Sequence, residues 1–278
     1  MTAIQDDARQ GAPVSAGRSG GGRAMTGFVA LLRHRGHEIV ATWRVWVLPS
    51  VLVVFAATGP VLARYTRELL TWAMGDQLAS LPPIPDPTYL DAYGQWSKNL
   101  TQLVVFVVLI QAAGAINGDV RSGSAVLLLV KPVSRTSYVL AHAASLVGFV
   151  VVATSVGTAV TWVVTRLLFP QAPPGALVAS TAVWLVLVAA LVAMTLLVSA
   201  AVDAVAGAAG IAIGGFFVLA ILGAVPAVAR YSPAGLTGLV GQLSTGAHPA
   251  VAWPVVTGVV LAAALLAAAV AVFSRREL

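Results

Sequence analysis

Six apolar runs decide what this chain can become. They occupy residues 45–63, 100–118, 139–165, 176–200, 207–228 and 250–273. Each is close to or above the roughly 20 residues an α-helix needs to cross a hydrocarbon core about 30 Å thick. With no water in that core, every backbone amide must be satisfied internally, so such runs fold as helices. The expected fold is therefore an all-α polytopic membrane protein with six transmembrane helices. Composition agrees: 59% of the 278 residues are hydrophobic and 9% are charged, against about 25% charged in soluble domains.

Charge orients the bundle. With both termini cytoplasmic, eleven of the sixteen Lys and Arg residues fall inside. Five (Arg64, Arg67, Lys98, Arg166 and Arg230) fall outside, as cytoplasmic enrichment in basic residues requires. Membrane edges thus account for the net charge of +6, and no nucleic-acid partner is needed. The expected location is the cell membrane.

Residues 1–25, rich in Gly, Ala and Ser, lack an apolar core and read as a disordered cytoplasmic tail. Residues 26–278 read as one six-helix domain. Thr26–Arg44 alternates apolar and basic residues, the pattern of an amphipathic interfacial helix. His34 and His37 have helical metal-ligand spacing but no third ligand nearby, so no metal is expected. Tyr65–Asn99 reads as the largest outer loop. Its Pro82, Pro83, Pro85 and Pro87 forbid a helix, and Tyr89, Tyr93 and Trp96 suit an interfacial belt. Residues 229–249 read as short outer helices before the sixth span. Gly207, Gly210 and Gly214 share one side of the fifth span and would allow close helix approach.

Several chemistries are missing from the chain. It has no cysteine, which removes disulfides and thiol nucleophiles. The expected spans carry no charge near their middles, where an ionisable side chain costs roughly 2.5–3.5 kcal/mol on insertion scales and is kept for a task. That argues against an ion-coupled carrier and an intramembrane enzyme. A phosphate loop needs Gly-Lys-Ser/Thr, and neither Lys98 nor Lys131 sits in one. ATP hydrolysis, if any, belongs to another chain. Thr158, Thr161 and Trp162 of the third span could line a path for an amphiphile. The ordinary role of such Thr residues is bonding to their own helix backbone.

Between the second and third spans lies Asn117–Tyr138. Its centre, Ala125–Val130, is apolar but far too short to cross a bilayer. Pro132 halts a helix by disfavouring helical geometry at the residue before it. Ser122–Lys131 therefore reads as a short cytoplasmic helix capped by Ser122 or Ser124. Its apolar face either docks a partner or rests on the headgroups.

The order Asp119, Arg121, Gly123-Ser124, Val126–Val130, Pro132-Val133-Ser134-Arg135 resembles the cytoplasmic segment of permease subunits of ATP-binding-cassette transporters of the type-2 exporter family. Tyr231-Ser232-Pro233-Ala234-Gly235-Leu236 and the ending Phe273-Ser274-Arg275-Arg276-Glu277-Leu278 are similar to that family too. The likeness spans roughly Gly27 to Leu278. It implies that this segment is a coupling helix. Asp119, Arg121, Ser124, Lys131 and Arg135 would make polar contacts around docked Val126, Leu127, Leu128, Leu129 and Val130. It implies a separate ATPase subunit holding ATP and magnesium, no cofactor on this chain, and a homodimer (or a heterodimer with a similar permease) in membrane lipid. It also implies export of a hydrophobic or amphipathic cargo. Gly-Ser-Ala stands where Gly-Thr-Leu-Glu is commoner, so an acidic contact is missing. A non-transporting membrane scaffold is the alternative.

Overall fold

The computed structural model describes residues 44–75, 85–118 and 134–275. Among them there is no strand, and six helices are long and apolar enough to cross a membrane. The expected 1–25 tail, the 26–44 interfacial helix before Arg44 and the Ser122–Lys131 helix lie outside the described residues.

The first span is Arg44–Arg64, with Pro49 and Pro60 inside it. A short helix, Thr66–Met74, follows and ends at Gly75, whose φ of +52° suits a residue without Cβ. The second span differs most from expectation. It begins at Tyr89, just past the prolines, and runs as an α-helix to Asn99, through a π-helical turn at Leu100–Val104, and on as an α-helix from Val105 to Ala113. A capping box between Thr88 and Asp91 starts it. Gln95, Lys98 and Asn99 lowered the hydropathy there and hid eleven helical residues. Tyr93 and Trp96 are fully buried core residues rather than an interfacial belt.

The third span, Arg135–Leu168, is 34 residues long and starts at the Ser134 N-cap, whose hydroxyl accepts the Ser137 amide at 3.0 Å. The fourth is Gly175–Ala201 and the fifth Val205–Gly223. The fifth stops short of the expected Val228 because Pro226 opens a separate helix and holds Val225 extended. Two short helices, Pro226–Tyr231 and Gly235–Ser244, precede the sixth span, Ala252–Arg275.

The fourth span is the central rod. In its most apolar stretch 61% of residues are enclosed, against 11% for the sixth. It packs against the second, third, fifth and sixth spans and the Gly235–Ser244 helix. Gly210 and Gly214 face open space instead of a neighbouring helix. Indole hydrogen bonds pin the core. Trp184 Nε1 donates to the Leu100 carbonyl at 3.1 Å, and Trp96 Nε1 donates to Thr181 Oγ1 at 3.2 Å. The turn between the third and fourth spans is held by Tyr93 Oη donating to the Pro173 carbonyl (3.2 Å) and Trp162 Nε1 donating to the Ala172 carbonyl (3.1 Å).

Candidate functional site

At one end of the bundle the second, fourth and sixth spans finish and the third and fifth begin. The 119–133 stretch leaves and re-enters there, so Asp119, Arg121, Ser124, Val126, Leu127, Leu128, Leu129, Val130 and Lys131 lie outside the described residues. Arg135 alone of the expected docking residues is described. What the structure defines is how the two ends of the stretch are fastened.

The departing end is tied to the fourth span. Ser199 Oγ accepts the backbone amides of Ile116 (3.3 Å) and Asn117 (3.2 Å) and donates to the Ala113 carbonyl at 2.9 Å. The Ala113 carbonyl is one of the acceptors a helix C-terminus leaves unsatisfied, and the two amides lie just beyond it. Buried backbone groups of either kind need a partner. Asn117 is fully buried, and its Nδ2 donates to the Val202 carbonyl at 3.3 Å. One small hydroxyl thus fixes where the second span stops.

The returning end is tied to the sixth span. Arg135 Nη1 donates to the carbonyls of Phe273 (3.3 Å) and Ser274 (2.9 Å). A guanidinium there satisfies terminal carbonyls and opposes the negative end of the helix dipole. One turn on, Tyr138 stacks on Phe273 with ring centroids 5.1 Å apart and meets His142 edge-on at 4.6 Å. Tyr138 and Phe273 are fully buried. The departing end of the 119–133 stretch is thus bonded to the fourth span through Ser199 and its returning end to the sixth through Arg135.

An apolar slot of about 450 Å³ opens between the third, fourth and sixth spans. Leu140, Ala144 and Val147 form one wall, Ala189 and Ala193 the second, Ala262 and Leu266 the third. None of the expected path residues lines it. Thr158 Oγ1 donates to the Thr154 carbonyl (2.8 Å) and lies 3.4 Å from Thr181 Oγ1. Thr161 is fully buried and donates to the Gly157 carbonyl at 2.9 Å, while Trp162 reaches the turn between the third and fourth spans. Among the described residues no group of three or more His, Asp and Glu is placed to hold a metal.

Sequence reasoning gave Ser199 and Asn117 only the ordinary packing role of polar residues in a span, not this one. Their only signal was two small polar residues at the ends of apolar runs. The 231–236 motif is a tight corner. The Ala234 amide donates to Ser232 Oγ (3.3 Å), and Gly235 sits so near the Ala229 carbonyl that a Cβ would collide with it.

These elements define a polytopic membrane protein with six helical spans. The chain belongs to the family described as protein of unknown function DUF2705, whose pattern matches residues 77–278. A comparison with curated proteins gives no match.

Proposed function

We propose that this chain is the permease subunit of an ATP-binding-cassette transporter in the cell membrane. It would export a hydrophobic or amphipathic cargo using ATP hydrolysed by a separate subunit. Two copies, or this chain and a similar permease, would enclose the path. The observation that carries the reading is the pair of fastenings around the 119–133 stretch. Ser199 and Arg135 satisfy helix-end groups that any connection would leave, and they do so by bonding its two ends to the fourth and sixth spans. A force received by the segment would therefore reach both spans. The lack of a phosphate loop in the sequence supports hydrolysis by a separate chain. The likeness of Asp119–Arg135 to a coupling helix supports an ATP-binding-cassette ATPase as that chain.

The test is capture of candidate ATPases by a tagged full chain. The unaltered chain retains one of them. Leu128→Asp places a carboxylate in the apolar contact and lowers retention at least tenfold, because truncated central interface residues often cost 2 kcal/mol or more. An ATPase that stays bound after Leu128→Asp refutes docking through this helix.

A further inference from the structure

The early start of the second span changes what its outer half offers. Lys98 belongs to a helix long and apolar enough to cross a membrane, not to a loop, and its side chain is exposed on the bundle surface. Two contacts fix its depth. Tyr93 bonds to Pro173 in the turn between the third and fourth spans. Lys98 lies five residues beyond, about 7.5 Å deeper at 1.5 Å per residue. Independently, Gly59 faces Gln95 and Asn99 and stands five residues inside Arg64, the end of the first span.

Gln102 follows Lys98 by about one turn and is also exposed. It sits about 13.5 Å below Tyr93, close to the middle of a core about 30 Å thick. A lysine can extend its ammonium towards the interface. A glutamine amide at that depth cannot reach water along its own side chain. Facing hydrocarbon, it would leave donors and acceptor unmatched. Gln95, half-buried one turn above Lys98, continues the same polar face.

We propose that Lys98 and Gln102 line a water-accessible path along the second span that receives the anionic end of an amphipathic cargo. A fixed positive charge in a low-dielectric channel concentrates anions and repels cations. The inference deepens the export reading and rests on it for the cargo. Its test needs no ATPase, so the two fail separately.

The absence of native cysteine makes the experiment direct. Gln102→Cys carries the sole thiol of the full chain in membranes. It is treated with membrane-impermeant methanethiosulfonates bearing either a sulfonate or a trimethylammonium group. Val156→Cys on the third span, 53% exposed and about 18 Å from the end of its helix at Leu168, is the lipid-facing control. Gln102→Cys is expected to react while Val156→Cys does not. Corrected for each reagent's rate with a free thiol, the sulfonate should be about tenfold faster. Lys98→Gln in the same chain should bring the ratio near one. Three results overturn the proposal: Gln102→Cys as inert as the control; equal corrected rates that Lys98→Gln leaves unchanged; or complete disulfide cross-linking between copies before reagent is added, which makes this face a seam.

Discussion

Substituting Gly157 with alanine tests how the three spans that meet at Trp96 are packed. Gly157 is the point where the third span meets the buried Trp96 ring and Leu52 of the first span. A methyl group there would lie 2.7 Å from Trp96 Cη2, 3.4 Å from Cζ2 and 3.3 Å from Leu52 Cβ. Carbon atoms prefer about 3.5–4.0 Å, so the indole must retreat by roughly 1 Å. Trp96 is fully buried and its Nε1 is bonded to Thr181 at 3.2 Å, so it has no free direction. Overpacking of this kind costs about 1–3 kcal/mol, and losing the indole bond adds about 0.5–1.5 kcal/mol. The expected destabilisation is therefore about 2–4 kcal/mol. Thermal unfolding in detergent would show a Tm lower by several degrees. Trp96→Phe shortens the ring, so Gly157→Ala should cost at least 1 kcal/mol less in that background than alone. The reasoning is refuted if Gly157→Ala changes stability by less than 0.5 kcal/mol, or if the two substitutions add without coupling.

Two further substitutions probe the ends of the molecule. Ser199→Ala removes the acceptor of the Ile116 and Asn117 amides, and leaving buried donors unmatched costs about 1–3 kcal/mol. Hydrogen exchange at those two amides should accelerate, and unchanged protection would show that another group holds them. Gly235→Ala drives a methyl into the Ala229 carbonyl. It should abolish folded protein on size exclusion, whereas Gly241→Ala, with open space at its Cβ position, should behave as the unaltered chain.

The spans were legible because hydrophobic length is a local signal. Where polar residues interrupt the run, the signal fails. Gln95, Lys98 and Asn99 made the first part of the second span read as loop, although Thr88 and Asp91 already spelled its start. The glycines of the fifth span were legible as a face that would allow close approach and as no more. Within this chain nothing stands within 4 Å of the Cβ positions of Gly210 and Gly214, because spacing gives a face and not what fills it. The clamps at Ser199 and Arg135 were not legible at all. They join residues 82 to 139 positions apart, and only the folded bundle brings them together. Arg135 appeared in the sequence as one end of a docking motif, while in the fold it also closes the end of the sixth span.

The π-helical turn at Leu100–Val104 has one more consequence. The Leu100 carbonyl takes the Val105 amide five residues on as well as the Trp184 indole. This turn therefore holds one residue more than its neighbours. Everything below it is rotated by about a quarter of a revolution relative to an uninterrupted rod. Deleting a single residue here would reset that phase, swinging the buried Val105, Leu109 and Ala112 out of the core while the half above stayed seated. The second span is thus two differently aimed rods joined at a gear tooth, with an indole as its pawl.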